Sequence, residues 1–176
     1  MIKKILLGLL AILIVGGGIF FFMNSEDKYD PSKFMAKVSD GLNTGSTMSF
    51  TLPDQFDKVH TLEDSTKKLI LVFKKDAGHA VNEFLQKQEE GYLEKRNALF
   101  IADISPMPVI IRNAFALPDL RSSSYKMLLL YDDTIVKQFK DEANVEKIAI
   151  VTLENSVVKS TQFISTEEEL KAALQQ

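Results

Sequence analysis

Hydrophobic and polar positions follow three rhythms along this chain. Ile5 to Met23 is one unbroken apolar run without a charge. Beyond it, short apolar blocks of strand length recur at Lys68–Phe73 (KLILVF), Leu99–Ile104 (LFIADI) and Met127–Tyr131 (MLLLY). Continuous blocks of this kind predict strands covered on both faces. Between the first two, Ala77, Val81, Phe84, Leu85, Gln88 and Tyr92 recur at helical spacing, while Lys87, Glu89, Glu90 and Glu94 fall outside that stripe. Pro106–Phe115 predicts a further short helix. Met48–Leu52, ended by Pro53-Asp54, and Lys58–Leu62 read as two shorter strands, with Val59 and Thr61 opposing His60, the outward residue of an edge strand. Lys147–Leu153 and Val157–Ile164 flank Glu154-Asn155-Ser156, a hairpin signal. Thr166 with Glu169 makes a capping box that opens a last helix through Leu170, Ala173 and Leu174.

Nearer the start, Asp30-Pro31 reads as an N-cap followed by proline at the first helical position. Phe34, Met35, Val38 and Leu42 follow at helical spacing and Gly41 offers a stop, so the pattern predicts a short amphipathic helix. The polar loop Asn43–Thr47 then divides the chain into 1–23, 24–47 and 48–176. Thr134–Phe139 fits helix or strand equally by its own pattern. Strands alternating with helices and closed by a hairpin predict an α/β domain, its central sheet mainly parallel, with helices on both faces.

The nineteen residues Ile5–Met23 span roughly 28 Å as a helix, enough for a bilayer core. Lys3 and Lys4 precede the run, and Glu26 and Asp27 follow it, which predicts a cytoplasmic N-terminus and an exported domain. The alternative is a cleaved signal peptide with its apolar region at Ile5–Val15 and small residues at Gly16-Gly17-Gly18. Cleavage there would leave Ile19-Phe20-Phe21-Phe22 as the mature start, so the pattern favours an uncleaved single-pass anchor in the cytoplasmic membrane. The domain would then lie in the periplasm or the extracytoplasmic space, and the alternative would make it soluble in the periplasm.

Composition narrows the chemistry. Of 176 residues 45% are hydrophobic and 26% charged, which excludes a wholly disordered, collagenous or coiled-coil chain. A net charge of −3 argues against a general nucleic-acid binder. The absence of cysteine excludes disulfides, thiolate zinc sites and all thiol chemistry. With only two histidines a multi-histidine metal site is not expected, and no calcium-loop, phosphate-loop or dinucleotide motif is present. Neither metal nor cofactor is expected.

Phe50-Thr51-Leu52-Pro53-Asp54 resembles the opening strand of the thioredoxin superfamily, in its peroxiredoxin-like and TlpA-like branch. Gln55-Phe56-Asp57-Lys58 with Thr61-Leu62 is similar to the hairpin that follows, although Asp57 stands where that branch usually has glycine. Leu69–Phe73 resembles the strand leading to the active site, Ile101–Ser105 the second core strand, and Leu128–Asp132 the extra βα insertion. Ala102–Pro108 with Phe115-Ala116-Leu117-Pro118 also resembles small exported proteins of the YtfJ type. The resemblance spans residues 48–176 and implies a thioredoxin-like three-layer sandwich with a mixed central sheet, which would follow the one transmembrane helix expected from the apolar run. It also implies that Thr134–Phe139 is helical.

The departures matter as much. Active members of that superfamily carry a cysteine just after the first core strand, at a helix N-terminus that lowers its pKa. The same stretch here reads Lys74-Lys75-Asp76-Ala77-Gly78-His79. The proline or arginine expected before the hairpin is also missing, with Val145-Glu146-Lys147 in its place. Thiol–disulfide or peroxidase activity is therefore not expected. The expected function is a non-catalytic binding or assembly module that meets a protein partner in the cell envelope. The alternative is a thiol-independent enzyme or small-ligand binder using Asp76 and His79 as an acid/base pair. Lys74, Lys75 and Arg121 are candidates to hold an anion or partner at the carboxyl edge of the sheet.

Overall fold

In the computed structural model, which describes residues 15–175, β1 (Met35–Val38), β2 (Met48–Pro53) and β3 (Val59–Thr61) form an antiparallel sheet in that order. The strands β4 (Lys68–Val72), β5 (Ala98–Asp103), β6 (Met127–Leu130), β7 (Ile148–Glu154) and β8 (Val157–Ile164) form a second sheet, ordered β6-β5-β4-β7-β8. In it β4, β5 and β6 are parallel, while β7 runs antiparallel to β4 and to β8.

Two cores form on opposite faces of this mixed sheet. On one face, Ile70 and Val72 of β4 meet Val81 and Phe84 of α1 (Lys75–Gln86), together with Leu170 and Leu174 of α5 (Glu167–Gln175). On the other, Leu69 and Leu71 meet Phe50 and Leu52 of β2 and Ile135, Val136 and Phe139 of α4 (Asp133–Phe139). The result is the three-layer α/β arrangement, with the small antiparallel sheet serving as part of one outer layer. The three apolar blocks, the hairpin, the capping box and the helical reading of Thr134–Phe139 all match the structure. Glu169 Oε2 accepts from the N–H groups of Ser165 and Thr166, and Thr166 Oγ1 accepts from Glu169 N–H at 3.2 Å. The two-residue hairpin turn sets Asn155 and Ser156 at φ 49° and 61°, the left-handed pair that matches strand twist.

The segment expected as an amphipathic helix over Asp30–Leu42 is a strand instead. Asp30 does cap a turn, accepting from Ser32 N–H, but the turn stops after Pro31–Lys33. The chain then extends into β1, where Ala36 and Val38 face the protein and Met35 stays 56% exposed. Period-two alternation wins over helical spacing because β2 offers a whole ladder of backbone partners, Met35↔Thr51 through Val38↔Met48. The outer edge of β1 is closed by a side chain: Gln138 of α4 donates to Ala36 O at 2.8 Å and accepts from Val38 N–H at 3.0 Å. Such cover keeps an edge strand from pairing with other chains. This segment is therefore hydrogen-bonded into the domain rather than a separate joint.

The stripe of α1 ends earlier than its spacing implies, at Gln86, and Tyr92 is buried in the following turn, edge-on to Phe84 at 5.7 Å. The helix expected at Pro106–Phe115 runs further: α2 (Val109–Ile111) passes through a π turn, Arg112–Ala116, into α3 (Leu117–Arg121). Leu117 N–H reaches back five residues to Arg112 O. Pro118, with no N–H to give, lies in the first turn of α3, so the widened turn falls where the regular ladder is already interrupted.

Residues 15–24 are helical, and Val15 and Phe20–Met23 are exposed on them. Among the described residues no helix is long and apolar enough to cross a membrane. The expected span starts at Ile5, and its part over 5–14 lies outside the described residues.

Phe139 is fully buried, edge-on to Phe50 at 5.9 Å, and so ties α4 to the small sheet. Phe139→Ala is expected to lower unfolding stability by about 3–5 kcal/mol, measured by denaturant titration.

Candidate functional site

The helix start that follows β4 carries none of the groups expected to do chemistry there in a buried setting. Lys74 is the N-cap residue of α1 and makes no side-chain cap; Asp76 sits in the first turn. Asp76 and His79 are exposed, and no hydrogen bond joins them among the described residues. Lys74 pairs with Glu146 at 3.5 Å across the loop before β7, and Lys75 is exposed. A side chain at Gly78 would meet Val72 Cγ2 at 3.8 Å, so the helix rests directly on the strand.

Arg121, the last residue of α3, lies elsewhere. Its Nε donates to Gln55 O at 2.7 Å and its Nη2 to Asp57 Oδ2 at 3.0 Å. Asp57 sits at φ 63°, the left-handed conformation that explains glycine at such a turn and that aspartate tolerates. Gln55 is fully buried, donating to Tyr125 O at 2.8 Å and accepting from Met127 N–H at 3.0 Å. The β2–β3 turn is thereby fastened to the free edge of β6. Close by, His60 is turned inward rather than outward as expected, its Nε2 at 2.8 Å from Asp54 Oδ2. Burial pushes the Asp54 carboxyl up, but the His60 ring and the N–H groups of Lys58 and Phe56 together hold it below the usual carboxylate range.

Beside β6 lies a cavity of about 610 Å³, walled by residues 23–34, the β2–β3 turn and the π turn. The π turn directs Arg112 inward, where it is only 4% exposed. Its Nη2 donates to Asp27, and its guanidinium lies over the Tyr131 ring, 4.8 Å from the centroid. Tyr29 stacks on Tyr131 at 4.8 Å with 7° between planes, and on its other side lies Phe34, at 5.4 Å and 12°. Asn113, next to Arg112, donates to Glu26 O at 2.8 Å and Asn24 O at 3.1 Å. The segment from Asn24 to Phe34 is thus strapped over the carboxyl end of β6 by an ion pair, a stack of rings and an amide. Among the described residues two atoms of this cluster are buried without a hydrogen-bond partner: Arg112 Nε and Tyr131 Oη.

Burial pushes both tyrosines up to about 12, and neighbouring aspartates add to it: Asp132, Asp27 and Asp30 for Tyr29, Asp57 for Tyr131. Both rings therefore stay neutral near pH 7. Burial acts against the Asp27 carboxyl as well, yet the Tyr29 N–H and Arg112 hold it below the usual range. A second, more open hollow of about 700 Å³ shares Asp27, Tyr29 and Tyr131 and continues to Ser105, Asp132 and Asp133. Ser105 on its wall donates from N–H and Oγ to Asp103, at 2.9 and 2.7 Å, and burial nevertheless pushes the Asp103 carboxyl up.

Of the sequence candidates, only Arg121 lines this cavity; Lys74, Lys75, Asp76 and His79 line neither hollow. Arg112, Asp27, Tyr29 and Tyr131 were legible only as oddities. Arg112 interrupts the apolar run Val109-Ile110-Ile111, and Tyr131-Asp132 ends an otherwise wholly apolar strand. Their partnership with Asp27 joins positions 85 residues apart, which no local pattern reveals.

No protein-family model matches the sequence, and no curated protein does. Among solved structures, a Neisseria meningitidis protein provisionally described as a thioredoxin superposes with a TM-score of 0.51 at 12% identity, over 76% of this chain and 92% of its own. A hypothetical protein of Sinorhizobium meliloti does so with a TM-score of 0.50 at 16% identity, over 78% and 87%. These likenesses show the fold alone: it is thioredoxin-like, with a mixed five-stranded sheet. The chain that adopts it contains no cysteine.

Because Gln55 satisfies two buried backbone groups at once, Gln55→Ala is expected to cost about 1–3 kcal/mol, read from the shift in urea midpoint.

Proposed function

We propose that this chain is a redox-inactive thioredoxin-like module that binds a protein partner in the cell envelope, held at the membrane by its apolar segment Ile5–Met23. The observation that carries this reading is an apolar patch left uncovered on the surface. Ile111 and Phe115, four residues apart on the widened helix, are 48% and 58% exposed. Phe115 also meets Phe20, inside the proposed anchor itself, with ring centroids 6.1 Å apart. Large apolar side chains clustered at a surface are a feature of interaction sites, since solvent exposure of each forgoes the free energy of burial. The patch adjoins the end of the proposed anchor, so a partner seated on it would lie close to the bilayer. The helix start that would bear a thiol in active relatives offers two lysines and an exposed histidine, and adds no competing reason for catalysis there.

A photo-crosslinking residue placed at position 115 of the full-length protein in native membranes is expected to capture one defined protein. Ile111→Glu, at the neighbouring position of the patch, should abolish that adduct without lowering the melting temperature. Absence of any adduct from position 115, or one indifferent to Ile111→Glu, would overturn the reading. The purified full chain should leave insulin disulfides and hydrogen peroxide unreduced in standard turnover assays; reduction of either would overturn the redox-inactive part.

A further inference from the structure

We infer that the strap Asn24–Phe34 is a resident occupant of a peptide-binding groove, which a partner segment carrying a carboxylate two residues before an aromatic ring would take over. This rests on the protein-binding reading and names the chemistry of the partner.

The strap itself defines that chemistry. Asp27 and Tyr29 are two residues apart on it, and each fills one half of a paired receptor: the carboxylate accepts from Arg112 Nη2, and the ring stacks on Tyr131. Asp27 Oδ1 also accepts from Tyr29 N–H at 3.0 Å, a local turn that sets acid and ring side by side. Asn113 holds the strap's backbone through the carbonyls of Asn24 and Glu26, at the helix end and the bend that follows it, contacts that read no side chain. Receptor and strap are therefore matched as a motif and its reader, with the acid and the aromatic ring specifying the motif.

The strap is nevertheless an imperfect fit. It bridges a hollow of about 610 Å³ instead of filling it. Beneath it Arg112 Nε and Tyr131 Oη are both sealed from solvent with no partner. A buried polar atom without a hydrogen bond costs about 1–3 kcal/mol, and native structures rarely keep one without a reason. Lifting the strap would let water or a better-fitting segment reach both atoms. That release would offset part of what the ion pair and the stacked rings contribute. The strap's own Asp27 is 46% exposed at its side chain, so the ion pair is solvated from one side and open to exchange.

The charges agree. Arg121–Asp57 and Lys33–Asp30 are already paired around the rim, at 3.0 and 3.3 Å. Removing Asp27 leaves Arg112 as a nearly buried guanidinium without a counter-charge, a strong bias toward an acidic replacement. A neutral segment could offer it only uncharged acceptors, and a basic one would add to the unpaired charge.

The test uses the full-length chain in detergent and a fluorescein-labelled, amide-capped peptide of residues 24–34, followed by anisotropy. The double variant Asp27→Ala, Tyr29→Ala should bind this peptide saturably, at least tenfold more tightly than the wild-type chain, whose own strap competes. Changing Asp27→Asn in the peptide, or Arg112→Met in the double variant, should reduce binding at least tenfold. Should the double variant fail to unfold cooperatively, Tyr29→Ser alone serves in its place, with the same order of affinities expected. Equal binding by wild type and strap variant, binding indifferent to the peptide's Asp27, or no saturable binding by a cooperatively folded variant would overturn the inference. A retained crosslink at position 115 with any of these results would sink the groove while leaving the partner-binding reading intact.

Discussion

Strand β4 has no polar face. Leu69, Ile70 and Leu71 are each fully buried, and they point alternately into two separate cores. A strand of this kind is stable only with a layer on each side of it, because an apolar face left to solvent forgoes about 25 cal/mol for each Å² not buried. That requirement recruits everything else. The helices α1 and α5 close one side, and α4 with the small antiparallel sheet closes the other. Parallel pairing to β5 and antiparallel pairing to β7 satisfy both backbone edges of β4. The position of the strap follows from the same demand, since residues 24–34 lead into β1, and β1 belongs to the layer that covers the second core.

The fold's familiar reactive position and this chain's most unusual position are different places. In thioredoxin-like redox proteins the N-terminus of the first core helix stabilises a thiolate, an anion matched to the positive end of the helix dipole. Here that end bears Lys74 and Lys75, cations that oppose the dipole, with one aspartate in the first turn to balance it. The buried guanidinium lies instead at the carboxyl end of β6, where the π turn brings Arg112 onto Tyr131. A widened helical turn rotates the side chains after it relative to a regular helix, and it does so here at the one point where an arginine must face inward. Pro118 and the π turn together redirect a segment that its neighbours Ile111 and Phe115 would otherwise use as a plain amphipathic helix.

The legible parts of the fold are those governed by neighbours in sequence. Apolar blocks announce β4, β5 and β6, the Thr166–Glu169 box opens α5, and the Asn155-Ser156 pair turns the hairpin, because each depends on a few adjacent residues. The failures share the opposite origin. β1 reads as a helix since Phe34, Met35, Val38 and Leu42 have helical spacing, yet its conformation was settled by β2, whose partner residues begin ten positions later. His60 reads as outward until Asp54, folded back across a tight turn, supplies a buried carboxylate for it.

By itself, the amino-acid sequence determined the absence of thiol chemistry, the apolar segment at the start and the strand–helix order of a thioredoxin-like domain. Those are consequences of composition and local periodicity. Only the tertiary structure decided that Asp27, Tyr29, Arg112 and Tyr131 form one site. Burial is what turns an exposed arginine and two tyrosines into groups that must find partners, and burial is a property of distant segments meeting. The same meeting left two polar atoms unsatisfied under the strap, a feature without any trace in the order of residues.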